Sequence, residues 1–377
     1  MSGGTVDLPP QVPAVGAIPS DGLLLHVGVF KTGTTALQHA LDHAGSRLTD
    51  AGVLYRGPSS WVPRSTNLLD LMIADEPDGS WRRLIADISA HRGRVMVSSE
   101  VLSTAVPKQC AKVVKKLGQR RPVTVLVGVR PLSGLLASTW QQFLKRGFDQ
   151  PFEEWLTRVF DDVSGEDNKF WLRNDFPAQV RRWGRVVGVE NVVVVMTDKS
   201  APTRTPELVE DLLGLGRGTV VLDDSLATNP AMSFAQAELL RQVNEELGDG
   251  FSADSYRRLI RMGVYPAMSK AATGVGEPIP LPRWAAAAAA ERGRQQAEAL
   301  ASSGAVLVGD MGALSRSTWD VDGPVPSPQT IDLDSAAGAV LGAVLAGKRG
   351  KRRRNAEGDD AEDRSTSRGL GGLLRRS

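Results

Sequence analysis

The stretch from Leu23 to Leu41, LLLHVGVFKTGTTALQHAL, constrains the fold more than any other part of the chain. Its apolar start, Leu23-Leu24-Leu25-His26-Val27, reads as a buried parallel strand. Gly28-Val29-Phe30-Lys31-Thr32-Gly33-Thr34-Thr35 follows as a glycine-bounded loop. Ala36, Leu37, Ala40 and Leu41 then recur at helical spacing, so a helix begins near Thr34. A strand, loop and helix start in this order gather unpaired backbone N–H groups and the positive end of the helix dipole at one point. That point is a cradle for an anion. Lys31 adds a full charge, and the hydroxyls of Thr32, Thr34 and Thr35 add donors. The plain alternative is a strand–turn–helix with an exposed lysine, but two glycines, three threonines and a lysine within eight residues argue against it.

The loop differs from that of a nucleotide kinase in one informative way. A Walker A loop reads GxxxxGK[ST], with lysine directly after the second glycine. Gly28 and Gly33 keep this spacing, but Thr34 stands in the lysine position and the cation has moved back to Lys31.

Beyond the loop, strands alternate with helices. Ala51–Tyr55, Arg94–Val97, Pro122–Val129 and Asn191–Met196 read as strands, and 306–308 as an edge strand. Helices are predicted over Thr66–Ala74, Ser80–Arg92, Val101–Leu117, Leu132–Lys145, Phe152–Phe160, Leu208–Leu215, from the Ser233 cap to Leu247, and over Pro282–Ser303 and Asp332–Ala346. This alternation predicts an α/β fold with a central parallel sheet flanked by helices. Residues 1–20, rich in Gly and Pro, read as a disordered arm. Residues 21–346 read as one domain, and 347–377 as a basic and polar disordered tail that starts with Lys348, Arg349 and Lys351 to Arg354.

Composition narrows the functional classes. Lys and Arg number 45 against 43 Asp and Glu, and a net charge of +2 gives no sign of a dedicated nucleic-acid binder. A single cysteine, Cys110, excludes an intramolecular disulfide framework, and the four histidines show no metal-ligand spacing. No apolar run reaches the ~18–20 residues of a membrane span, and no secretory signal is evident. A cytoplasmic protein without a transmembrane segment is expected.

Two further residues are candidates for chemistry. The strand Arg94–Val97 delivers Ser98-Ser99-Glu100 at its carboxyl end, where parallel sheets bind ligands. Glu100 there is a candidate general base, or equally an acid at the start of the next helix; His26 and His39 must be weighed against it. The strand Pro122–Val129 ends in Arg130-Pro131, and Ser138 follows in the next helix. Arg presents a fork of donors that suits phosphate oxygens.

Together these residues resemble the PAPS-dependent sulfotransferases, which use 3′-phosphoadenosine 5′-phosphosulfate as sulfuryl donor. The KTGTT stretch at Lys31–Thr35 is similar to that family's 5′-phosphosulfate loop. Arg130 and Ser138 match its 3′-phosphate pair, with Trp140 where many members have a tyrosine. The resemblance implies a three-layer P-loop-type fold, with the donor held by Lys31, Thr32, Gly33, Thr34, Thr35, Arg130 and Ser138. It implies catalysis by Lys31 and Glu100 without a metal, and adenosine 3′,5′-bisphosphate as product. The acceptor would be a small molecule, a carbohydrate or a glycolipid. The alternatives are a P-loop kinase or NTPase, and a non-catalytic nucleotide-binding protein on the same scaffold.

Overall fold

The computed structural model describes residues 15–57, 79–161, 169–198, 200–223, 232–248, 250–271, 279–317 and 320–349. The helix predicted over Thr66–Ala74 and the tail from residue 350 onward lie outside the described residues.

The described strands are β1 (Leu23–Gly28), β2 (Leu54–Arg56), β3 (Val95–Ser98), β4 (Val123–Val129), β5 (Val192–Met196), β6 (Leu281–Pro282), β7 (Val306–Val308) and β8 (Asp320–Val321). Six form one sheet in the order β2-β3-β1-β4-β5-β7, and every pairing in it is parallel. β6 and β8 pair separately. After β1 the chain goes to the edge strand β2, returns to β3 beside β1, and then crosses to β4 on the other side. The carboxyl end of β1, between β3 and β4, is therefore the topological switch point at which such sheets bind ligands.

β1, β3 and β5 are buried at every position, as their unbroken apolar runs require of strands covered on both faces. On one face Leu24, Met96, Leu126, Val193 and Val195 pack with Leu37 and Leu41 of α1 (Thr34–His43) and with Leu208, Val209 and Leu212 of the helix Arg204–Leu213. The alternate residues Leu23, Leu25, Val125, Val127, Val192 and Val194 are equally buried, which demands a second layer. The helix Phe176–Val187 supplies it against β4 and β5, with Trp183 fully enclosed and the helix Pro107–Gly118 packed beside it. The fold is the three-layer α/β arrangement that the sequence predicts.

Two expectations are corrected. The helix predicted over Val101–Leu117 is broken into a 3₁₀ turn, Glu100–Thr104, and an α-helix, Pro107–Gly118. Pro107 has no N–H to donate and forces the preceding residue out of the helical region; Val106 is extended, with φ −81° and ψ 163°. Within residues 15–20, expected in a disordered arm, Ile18 is anchored to the sheet unit. Ile18 is buried; its N–H donates to Leu212 O at 2.9 Å and its carbonyl accepts from Arg94 Nε at 2.9 Å.

The chain divides into two compact units. The first comprises Met1–Leu136, Leu156–Thr228 and Leu281–Gly323, and it holds all the described strands. The second comprises Ala137–Trp155, Asn229–Pro280 and Pro324–Ser377. Its described residues are mainly helical. Ser233 and Gln236 form a capping box at the start of Phe234–Leu247, and Trp140 packs against Phe152 and Phe234. Lys145 Nζ donates to Tyr265 OH at 2.6 Å, and burial pushes the Lys145 pKa down to about 8.

The tether on residues 15–20 has a measurable consequence. Arg94→Ala removes the side chain that holds the Ile18 carbonyl, a hydrogen bond worth about 1 kcal/mol. The Ile18 amide should then exchange with solvent roughly five- to tenfold faster in hydrogen-exchange measurements. Unchanged protection would mean that burial of Ile18 alone fixes the segment.

Candidate functional site

The loop that leaves β1 is shaped by contacts that tolerate no side chain. Gly28 has φ 82°, and a Cβ there would lie 2.9 Å from the Cα of Glu100. The start of the loop and the end of β3 can touch only because residue 28 is glycine. Gly128, a glycine inside the apolar strand β4, does the same on the other side. A Cβ at that position would come within 2.9 Å of Thr32 Oγ1.

Within the loop, Lys31 has φ 69° and Gly33 has φ 79°, so two left-handed residues flank Thr32. Left-handed backbone interspersed in this way belongs to the main-chain concavities that bind anions. For glycine it is easy, whereas for lysine it costs on the order of 1 kcal/mol. Arg130 holds the strained residue: its Nη1 donates to Lys31 O at 2.8 Å. Gly134, in the first turn of the helix Leu132–Leu144, leaves the space that the guanidinium fills. Burial lowers the pKa of Arg130 from its ordinary value, yet any guanidinium remains charged at neutral pH.

α1 opens directly from Gly33, and no side chain caps it. The first ladder bond runs from Leu37 N to Gly33 O at 3.1 Å, so the amides of Thr34, Thr35 and Ala36 come before the ladder begins. The Thr32 and Thr34 hydroxyls both turn onto Val29 O, at 2.6 and 3.3 Å, and close the loop from within. The groups facing outward are the amides at the helix start and the exposed residues Lys31, Gly33 and Thr35.

His26 lies beneath the loop. The register pairs His26 with Ser98 on the neighbouring strand, so both side chains leave the same face. His26 Nδ1 meets Ser98 Oγ at 2.9 Å, and Gln38 Nε2 of α1 donates to the same oxygen at 3.0 Å. This chain pins α1 to β3 and β1. Burial pushes the His26 pKa down to about 4, so the ring is neutral and structural near pH 7. His39 is exposed on α1. Glu100 is half-buried at the first position of the 3₁₀ turn, its backbone against Gly28, and Ser103 Oγ donates to its carbonyl at 2.7 Å.

The structure thus brings Lys31, Thr32, Gly33, Thr34, Thr35, Glu100 and Arg130 together around the carboxyl end of β1. Ser138 falls in the second unit, whereas Arg130 belongs to the first. Ser133, nearer the start of the same helix, donates to Arg316 O at 3.0 Å. A further cation joins the loop: the Arg173 guanidinium carbon lies 4.5 Å from the centroid of the Phe30 ring. Arg173 comes from a distant helix, Lys169–Asn174, and no local pattern announces it. At the β5 end of the same sheet edge Arg316 contacts Asp198 at 3.6 Å and Asp310 at 3.0 Å. Hydrogen bonds from Ser200, reinforced by Arg316 and Arg204, hold the Asp198 carboxyl below its ordinary pKa.

No model of a known protein family matches the chain, and no curated protein matches it. Among solved structures, a sulfotransferase from Alicyclobacillus acidocaldarius is similar with a TM-score of 0.36 and 16% identity, over 62% of this chain and 98% of that one. A likeness at that level leaves the functional reading to the geometry of the chain itself.

The buried histidine sets a pH dependence. The unfolded chain takes up a proton near pH 6.5, while the folded chain refuses it until about pH 4. Between these values the unfolded state binds more protons, so stability falls as the pH falls, by on the order of 3 kcal/mol across the window. His26→Gln should flatten the decline in melting temperature between pH 6.5 and 4.5. An identical pH slope in the variant and the parent would assign acid sensitivity to other groups.

Proposed function

We propose that the site in the first unit is that of a sulfotransferase, which moves a sulfuryl group from PAPS to a hydroxyl or amine acceptor. One observation carries the reading: a cation at position 31, not after the second glycine, stands in a left-handed loop strapped by Arg130 and touching the Glu100 backbone through Gly28. The residues present suit a donor with anionic groups at two separate places. Amides at the start of α1 and the helix dipole suit its 5′-phosphosulfate, and the remaining guanidinium nitrogens of Arg130 suit its 3′-phosphate.

In the reaction the acceptor oxygen or nitrogen attacks sulfur in line with the bond to the 5′-phosphate. The new bond to sulfur forms as the sulfur–oxygen bond to the phosphate breaks, and the electron pair stays on the phosphate oxygen. Lys31 stabilises the charge that gathers there, and the loop amides of Gly33, Thr34 and Thr35 hold the phosphate in place. Glu100 takes the proton of the acceptor. The products are the sulfated acceptor and adenosine 3′,5′-bisphosphate. Buried neutral His26 does not compete for the role of base. The chemistry is positioning and electrostatics, as in phosphoryl transfer.

A kinase or NTPase on this scaffold needs its lysine after Gly33, where the chain has Thr34. Thermal unfolding separates the readings. Adenosine 3′,5′-bisphosphate without metal should raise the melting temperature, and Mg-ATP should leave it unmoved; the reverse result selects the kinase. Lys31→Ala should lower transfer from radiolabelled PAPS about 100-fold or more while the melting temperature holds. Glu100→Gln should lower kcat by a similar order with little change in the KM for donor. Donor binding with no turnover over a panel of hydroxyl and amine acceptors would leave a binding protein instead.

A further inference from the structure

Residues 333–349 form a helix whose side-chain sizes are inverted. The buried face carries Ser335, Gly338, Ala339, Gly342 and Ala346, all small. These residues let two backbones approach closely. A Cβ at Gly338 would lie 2.8 Å from Ala267 O, and one at Gly263 would lie 2.8 Å from Gly342 O and from Ala346 Cβ. The outward face carries the large apolar residues: Leu333 is 87% exposed, Val340 67%, Leu341 55%, Val344 49% and Leu345 44%. Met262, next in sequence to the close-packed Gly263, is 66% exposed. At ~1.5 Å per residue the stripe from Leu333 to Leu345 is roughly 18 Å long. A helix on a protein surface ordinarily turns such residues inward, so this one is built to be covered.

The charge that follows identifies the cover. Lys348 and Arg349 are exposed at the end of the helix, and the sequence continues with Lys351, Arg352, Arg353 and Arg354. In the sequence, residues 348–354 hold six cations in seven residues. The acidic residues beyond begin only at Glu357. Acids at the other end of the helix include Asp332, whose carboxylate is committed to the Ser335 amide at 2.7 Å. A second copy of the chain docked on this face would leave most of the cations unmatched. An anionic lipid surface meets both demands, with acyl chains against the leucines and valines and headgroups against the basic run. Among the described residues no helix is long and apolar enough to cross a membrane, so the helix would lie in the interface plane. We propose that the helix at residues 333–349, with its exposed Lys348 and Arg349, docks the protein on an anionic membrane surface.

The test uses the full chain and vesicles of phosphatidylcholine with and without phosphatidylglycerol. The protein should sediment with the anionic vesicles at low salt, and at least tenfold less with neutral vesicles or in ~0.5 M salt. The double variant Leu341→Ser and Val344→Ser should lower partition at least tenfold at unchanged melting temperature, and Lys348→Glu with Arg349→Glu should lower it as well. Cys110 is the single cysteine and is buried. Leu341→Cys therefore accepts one environment-sensitive dye, whose emission should shift to the blue on anionic vesicles alone. Three results overturn the proposal. These are absence of sedimentation at any anionic content, sedimentation indifferent to the Leu341 and Val344 changes, and a dimer in sedimentation velocity that those changes dissociate.

Discussion

A hydrogen bond between a side chain and a main-chain oxygen holds the candidate site together. Arg130, at the end of β4, donates to the carbonyl of Lys31 and keeps a lysine in backbone geometry that lysine does not favour. The tie aligns two requirements. The loop needs a fixed left-handed turn at residue 31, and an anion site needs positive charge on both its walls. One guanidinium contributes to both, and Gly134 leaves the space that it fills at the start of the helix Leu132–Leu144. Arg173 over Phe30 adds a third cation beside the loop. The Thr32 and Thr34 hydroxyls, turned to Val29 O, make the loop rigid from inside.

Much of this was legible in the sequence, for physical reasons. Strands buried on both faces lose the apolar–polar alternation, so LLLHV and NVVVVM stand out as runs, and the loop between two glycines fixes the first crossover. The break at Pro107 is missed by a helix read over Val101–Leu117, although proline both ends the extended segment and starts the helix. Other features depend on contacts distant in sequence. His26, Ser98 and Gln38 meet only once β1, β3 and α1 are assembled, and Arg173 meets Phe30 only across the fold. Residues 15–20 look like the rest of a Gly- and Pro-rich arm until Leu212 and Arg94 are set beside Ile18.

The spacing of Arg130 and Ser138 speaks only of their places along the chain. Both residues lie where the pattern puts them, one at the strand end and one in the helix Leu132–Leu144. That helix, however, passes from the first compact unit into the second between Leu136 and Ala137. Sequence spacing reports position along a helix, not the body to which each turn belongs. The helix at residues 333–349 shows the same limit: periodicity separates a small face from a large apolar face but does not say which one turns inward. Glycine against glycine, at 263 and 342, decided it.

Gly28 and Gly128 give the mouth of the cradle two walls of fixed spacing, because each is in contact with main chain or loop at the distance where a methyl group would already collide. A side chain at either place would displace Glu100 or Thr32 from the loop. Redesign of the candidate site is therefore channelled to the solvent-facing positions 31, 33 and 35. Selectivity would then change through charge and donor placement, at a diameter set by the sheet.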